Sequence, residues 1–412
     1  MEKQKCPELR FSEFKNYWNE IRLGDVIDNF SYGLNAQAVK YDGKHKYIRI
    51  TDIDDNSRSF LQDNLTSPDI DFEKADNYIL KKKDILFART GASVGKTYLY
   101  NETDGLVYFA GFLIRGKIKN DIDEAFIFAN TQTERFHKFI RLTSQRSGQP
   151  GINAKEYTSF EFYCSDFQEQ VKIGEFFKNL DESIVLHEKK LVQTQNLKKA
   201  MLEKMFPKQG SNRPEIRLKG FSRDWEPFTL GSLCHIGDID HRMPESREQG
   251  IPYLMTGDFI GINELDFRNA KRISNEDYEQ LAKKIKPEAG DILFARYASV
   301  GTVRYVKTHL KFLISYSCAI LKTSVNSNGE YLFYYLQTKC SKNQIEQEIN
   351  TGSQRNIGID SLKKLSILMP KDDEQRAIAD FFRKIDENLV LQEKQLQTLK
   401  NLKQALLEKM FV

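Results

Sequence analysis

The strongest constraint on this chain is that it is written twice. Phe176–Phe206, FFKNLDESIVLHEKKLVQTQNLKKAMLEKMF, returns as Phe381–Phe411, FFRKIDENLVLQEKQLQTLKNLKQALLEKMF, with more than half of the positions identical. Pro7–Val26, PELRFSEFKNYWNEIRLGDV, returns as Pro214–Leu233, PEIRLKGFSRDWEPFTLGSL, keeping the Pro-Glu, the Arg, the Phe, the Trp and the Leu-Gly in register. Asp84–Gly95, DILFARTGASVG, returns as Asp291–Gly301, DILFARYASVG. The 412 residues are therefore two head-to-tail copies of about 205 residues, a period far beyond the roughly 20–50 residues of solenoid repeats.

The best-kept block of each copy predicts one long helix. Leu180, Ile184, Leu191, Leu197, Met201 and Met205 recur mostly at three- and four-residue steps, matched by Ile385, Leu389, Leu396, Leu402, Leu406 and Met410, amid Glu, Lys and Gln. No Pro or Gly interrupts either run, so from about Gln168 the helix extends for about 40 residues, or about 60 Å. An apolar stripe of that length has to be covered. Each helix can pack on its own globular neighbour, or the two can pair; pairing gives each its best-matched surface. A local two-fold relating the copies makes such a pair antiparallel, with the globular parts at opposite ends.

The remainder of each copy diverges. SYGLNAQAVKYDGKHKYIRITDIDDN and HIGDIDHRMPESREQGIPYLMTGDFIG share only an outline of strand, turn and strand. Short runs such as KYIRIT, DILFAR, KTYLYN and GLVYFAGFLIRG predict strands, and EAFIFANTQTERFHKFIRLT, with its counterpart EYLFYYLQTKCSKNQIEQEI, predicts helix. The expected fold class is α+β with a pseudo-two-fold internal repeat. Its parts are a first globular domain over 1–165, a long helix over 166–206, a linker over 207–213, a second globular domain over 214–369 and a second long helix over 370–412.

RTGASVGKT, Arg89–Thr97, imitates a phosphate-binding loop but fails its pattern. The first glycine of G-x-x-x-x-G-K-[ST] has to be residue 90, and that is Thr90. Strand-forming residues follow instead of a helix, and the second copy replaces Lys96-Thr97 with Thr302-Val303. What both copies keep fits a tight turn between strands, with Gly95 and Gly301 at positive φ. It also fits a turn that presents Arg89, Ser93 and Lys96, and Arg296, Ser299 and Arg304, to a phosphate backbone. Gln149, Asn153, Gln354 and Asn356 can read adenine edges or cap turns; Arg146 and Arg355 beside them suit phosphate. Lys81-Lys82-Lys83 reads as a solvated turn.

Other chemistry is excluded by what the residues lack. The five cysteines form no C-x-x-C and the six histidines no metal-ligand spacing, which predicts reduced thiols, a cytoplasmic location and no metal. No adjacent prolines provide the Pro-Pro-aromatic motif of amino-methyltransferases, and no G-x-G-x-x-G follows a strand. A membrane helix needs roughly 20 apolar residues in a row, and no run approaches that. With a net charge of +4 the chain is compatible with a polyanion but not committed to one. Two copies of such a fold without a catalytic constellation read as binding modules.

These blocks together resemble the specificity subunit of type I DNA restriction-modification enzymes. The carriers are the paired PE(L/I)R openings, the DILFAR...SVG cores, the loops SGQPGINAKEY and GSQRNIGIDSL, and the matched helices; the resemblance covers essentially the whole chain. It implies two target-recognition domains separated by an antiparallel helical coiled coil, each reading half of a bipartite site in double-stranded DNA. Their divergence implies an asymmetric target. It further implies helices that dock two methyltransferase subunits, association with restriction subunits, and no catalysis or cofactor in this chain. S-adenosylmethionine, ATP and Mg²⁺ belong to the partners. The weak net charge implies that DNA affinity comes partly from those partners. The rival readings are the specificity part of a type II system, a coiled-coil scaffold that binds no DNA, and an NTPase.

Overall fold

The computed structural model describes residues 4–323, 327–352 and 355–412. Its contacts divide into two units, Met1–Lys189 with Lys394–Val412, and Lys190–Glu393. In the first unit the elements that position the site are β1 (Trp18–Arg22), β2 (Ile27–Tyr32), β3 (Asp84–Ala88), β4 (Thr97–Leu99), β5 (Leu113–Ile118), α1 (Glu124–Asn130), α2 (Glu134–Thr143), α3 (Ala154–Thr158), β6 (Glu161–Cys164) and the start of α4 (Phe167–Lys204). In the second unit they are β7 (Glu226–Thr229), β8 (Cys234–Gly237), β9 (Ile292–Ala295), β10 (Val303–Tyr305), β11 (Cys318–Thr323), α5 (Gly329–Tyr335), α6 (Lys339–Gln347), α7 (Ile359–Lys364), β12 (Ser366–Met369) and the start of α8 (Asp372–Met410).

Each unit holds a four-stranded antiparallel sheet with the same connectivity, β2-β5-β3-β4 in the first and β8-β11-β9-β10 in the second. DILFA is uniformly apolar after its Asp because both faces of this strand are covered. Ile85 and Phe87 enter a core with Trp18, Phe126 and Tyr157, while Leu86 and Ala88 enter another with Ile48, Tyr98 and Phe109. Ile292 and Phe294 are likewise separated from Leu293 by the pleat. The Asp is the turn-maker. Asp84 accepts from the Lys81 amide at 2.9 Å and Asp291 from the Glu288 amide at 2.7 Å, and burial pushes both carboxyls up. Lys83, expected in a solvated turn, instead lays its ammonium on the carbonyls of Lys119, Asn120 and Ile122.

The turn after β3 has the geometry its glycines suggested. Gly95 and Gly301 have φ of +84° and +88°, which an L side chain adopts only with strain. β4 follows at Thr97 in place of a helix, so a phosphate loop is absent here. The expected helical stretch Glu124–Thr143 is two helices, broken between α1 and α2, where the Thr133 side chain caps the second, as Thr338 caps α6.

The paired openings of the two copies are explained by one buried contact. Arg10 forks onto Glu169 at 2.6 and 2.7 Å, and Arg217 forks onto Glu374 at 2.7 Å twice, tying each PE(L/I)R segment to the first turn of a long helix. Glu169 also accepts from the Trp18 indole at 3.0 Å, whereas the buried Trp225 indole has no partner among the described residues.

The long helices run for 38 and 39 residues, and antiparallel pairing is seen inside each unit. In the first, Asp181 meets Lys403 at 2.6 Å and Glu188 meets Lys400 at 2.7 Å. In the second, Lys198 meets Asp386 at 2.6 Å, and Phe206 stacks on Phe382 at 5.7 Å. Asp181–Lys403 and Asp386–Lys198 are the same pair with the copies exchanged.

Of the residues expected on the stripe, Ile184, Met205, Leu389 and Met410 are buried, and Leu180, Leu191, Met201, Ile385, Leu396 and Leu406 are partly buried. Leu197 and Leu402 are not on it: they are 48% and 47% exposed. The stripe passes one residue later, through Lys198 and through Lys403 and Leu407, because each lysine buries its aliphatic stem and brings its ammonium to an aspartate. No helix among the described residues is long and apolar enough to cross a membrane.

Candidate nucleic-acid interface

In both units the turn after the central strand is joined to the loop that precedes the short helix. Ile152 donates its amide to the Arg89 carbonyl at 2.8 Å, Gly91 donates to Pro150 at 2.9 Å, and Thr90 bridges Gly151. Ile357 donates to the Arg296 carbonyl at 3.1 Å, and Tyr297 bridges Asn356. The two sequence-distant segments singled out in each copy are thus one surface.

Within the first surface Arg89 is partly buried, its guanidinium 4.9 Å from the centre of the Tyr32 ring and 3.5 Å from the Gly111 carbonyl. Ser93 is partly buried, and its carbonyl accepts from the Lys96 amide. Lys96 does not face outward: its side chain is 14% exposed, paired with Asp55 and 3.5 Å from the Ile53 carbonyl. Arg146 is exposed but held by the Thr143 and Gln145 carbonyls at 2.9 Å and by Glu156 at 2.5 Å. Gln149 is exposed and makes no hydrogen bond among the described residues. Asn153 caps α3, its side-chain oxygen accepting from the Glu156 amide at 2.9 Å while the Glu156 carboxylate accepts from the Asn153 amide at 2.9 Å. That is the capping role open to it in the sequence.

The second surface corrects two assignments. Arg296 is 6% exposed and its guanidinium is taken by Asp238 and, at 3.0 Å, by the Ile357 carbonyl. Arg304 is 9% exposed and spends its donors on the carbonyls of Val303 at 2.9 Å and Gly261 at 3.1 Å; burial pushes its pKa down. Neither side chain is presented to a phosphate, because each is already satisfied inside the fold. Ser299 is exposed. Arg355 is exposed and paired with Glu346, and Asn356 accepts from the Asn350 side chain at 3.2 Å. Gln354 lies outside the described residues.

Several neighbours of these residues carry no signal in the sequence. Asp238 gathers Arg296, Lys284 at 2.8 Å and His241 at 3.0 Å. Burial raises its carboxyl, but the bonds from Lys284 and His241 and the charges of Arg296 and Lys284 outweigh that and hold it at about 2. His241 stacks on Tyr316 at 4.9 Å. In the first unit Tyr32 and Phe112 are exposed, with nothing in the sequence to mark them. Phe112 lies in GLVYFAGFLIRG, which reads as a β-rich run; the chain turns at Ala110–Phe112 between Val107–Phe109 and β5, and throws this one ring outward.

Two sheets of one connectivity, each carrying a composite loop surface, define a binding scaffold built twice. A family model described as the type I restriction modification DNA specificity domain matches residues 15–196 and again 222–401, and the chain belongs to that family. Among curated relatives, the type I restriction enzyme MjaVIII specificity subunit of Methanocaldococcus jannaschii is 21% identical over 95% of this chain and 91% of its own. The putative MjaX specificity subunit of the same organism is 22% identical over 97% and 94%. Among solved structures, a type I restriction-modification S subunit from M. genitalium superposes with a TM-score of 0.63 at 15% identity, over 99% of both chains. A chain from a study of assembly and conformational transition of a type I system gives 0.55 at 19% identity, over 95% of this chain and 97% of that one. The protein is therefore a DNA specificity subunit of the type I class, a recognition component and not a catalytic one.

Proposed function

We propose that each unit's sheet and loop surface reads one half of a split, asymmetric site in double-stranded DNA. The observation that carries this is the contrast just described: identical strand connectivity in the two units beneath loop surfaces built from different side chains. Identical readers would recognise a palindrome; different readers imply two unlike half-sites, about 34–36 Å apart for each helical turn between them. The functional parts we assign are readers over 1–165 and 214–369, helices over 166–206 and 370–412, and a linker over 207–213.

The helices dock two methyltransferase subunits, one on each repeat. This is supported by apolar residues left exposed at matching positions of the two copies: Val185 and Val390, Leu186 and Leu391, Leu197 and Leu402. S-adenosylmethionine is bound by those methyltransferases, and ATP and Mg²⁺ by restriction subunits that join them.

Exchanging residues 30–80 for the matching segment of another specificity subunit tests the modular reading. Methylated-base mapping of cells carrying the hybrid should show one half of the recognised sequence changed and the other intact; a change in both halves overturns it. Because the net charge is only +4, the isolated chain should bind duplex DNA weakly at physiological salt and tightly once the methyltransferase is added. Tight sequence-specific binding by the isolated chain would contradict the shared-affinity part of the proposal.

A further inference from the structure

We infer that Tyr32, Arg89, Phe112 and Gln149 form the base-reading surface of the first unit, with Phe112 as its apolar contact to the bases. This rests on the DNA-recognition reading above and names the residues that perform it.

Phe112 is 59% exposed at the apex of its turn, although the next residue, Leu113, is fully buried. Single exposed apolar side chains are ordinary on protein surfaces; the neighbours of this one are not. Its carbonyl accepts from the Arg89 amide at 3.0 Å, and the Arg89 guanidinium lies over Tyr32 without a carboxylate partner among the described residues. Tyr32 is itself 43% exposed, and its hydroxyl accepts from the Ala154 amide at 3.2 Å, which ties β2 to the head of α3.

Gln149 completes the set. A Cβ on Gly91 would come within 2.8 Å of its Nε2, and Gly91 sits at φ +70°, so the residue under the carboxamide is one that leaves it room to lie there. With no hydrogen bond among the described residues, the carboxamide keeps both its donor and its acceptor for a ligand.

A guanidinium, a free carboxamide and an outward ring carried on adjoining backbone segments are the three chemistries that read base edges: bidentate bonds to guanine, bidentate bonds to adenine, and apolar contact with thymine. A surface that only gripped phosphates would gain nothing from Phe112. The second unit supplies the contrast. There Ser317, whose carbonyl likewise accepts from the amide of the matching arginine at 2.9 Å, stands where Phe112 does, and Asp238 has taken the Arg296 guanidinium. The first half-site alone should depend on this constellation.

The test uses the full chain with its methyltransferase subunits. Methylated-base mapping of the wild-type complex supplies the cognate duplex, and binding is measured on that duplex, on versions scrambled in either half, and on one scrambled in both. For F112A the preference for the correct first half should fall about tenfold or more. Affinity for the fully scrambled duplex and discrimination in the second half should stay unchanged, and F112L should retain an intermediate preference. Q149A should relax the same half. Equal loss on cognate and scrambled duplexes, an effect on the second half, or an unaltered motif for F112A would each overturn the inference while leaving the subunit a DNA reader. A wild-type complex with no preferred duplex would instead remove the DNA-recognition reading, and this inference with it.

Discussion

At the end of β3, Arg89 lies over the Tyr32 ring with one long carbonyl contact; at the end of β9, Arg296 is closed in by Asp238 and the carbonyl of Ile357. The strand registers explain the difference. Ser31 faces Arg115 and Gly237 faces Ile320, so the next residue along, Tyr32 in one unit and Asp238 in the other, occupies the same sheet position. An aromatic ring there leaves the guanidinium its donors, whereas a carboxylate consumes them. A repeated sequence carries the backbone faithfully from one copy to the next, but the duty of a repeated arginine is set by a neighbour in another strand.

The comparison is broken hardest where the copies still agree. Glu374→Ala would strand Arg217 in a nearly buried site and should lower the stability of its unit by about 3–5 kcal/mol, read from denaturant unfolding. Glu169→Ala should cost about 1 kcal/mol more, since Trp18 loses its acceptor while Trp225 has none to lose. Next come the helices: Leu407→Ala removes a side chain that is 2% exposed and should cost about 2–5 kcal/mol. Leu402→Ala should stay within about 0.5 kcal/mol and instead weaken methyltransferase binding in a pull-down titration.

The arginines themselves come third. Arg296→Ala should destabilise by about 1–3 kcal/mol, because Asp238 keeps only Lys284 and His241. Asp238 also gives an acid signature. Its carboxyl is lowered from 3.8 to about 2, so its stabilising contribution is complete above about pH 3.8 and fades as the pH falls toward 2. Asp238→Asn should flatten the pH dependence of unfolding across that interval. Arg89→Ala should change stability by no more than about 0.5 kcal/mol yet impair reading of the first half-site. Smallest in stability and sharpest in meaning is Tyr32→Asp, which places a carboxylate beside Arg89. It should silence that arginine as a reader without unfolding the sheet, observed as a relaxed first half-site at a melting temperature lowered only by the loss of the Ala154 amide's bond to Tyr32.

The duplication, the long helices and the glycine turn were legible because each is a property of local sequence: a period, a stripe, a residue that tolerates positive φ. The meeting of the 89–95 turn with the 145–154 loop was foreshadowed only by both being repeated. What escaped depends on tertiary context. Arg296 and Arg304 look like surface cations until the acceptors that bury them are known, and those acceptors come from Asp238 and from the carbonyls of Ile260 and Gly261, far away in sequence. Lys198 and Lys403 were passed over because an apolar-only stripe cannot register a lysine whose stem is inside and whose charge is matched by an aspartate of the other helix. Phe112 was lost for the opposite reason, an apolar residue inside an apolar run that the turn leaves in water.

The first unit is assembled from both extremities of the chain, and the rings of Trp18, Phe126 and Phe177 pack on Phe411. The contiguous second unit therefore carries every element of its own core, while the first, earlier in sequence, cannot close until Phe411 is present. Chains truncated after Glu393 and released should therefore be cut by protease in the region made first and resist it in the region made second.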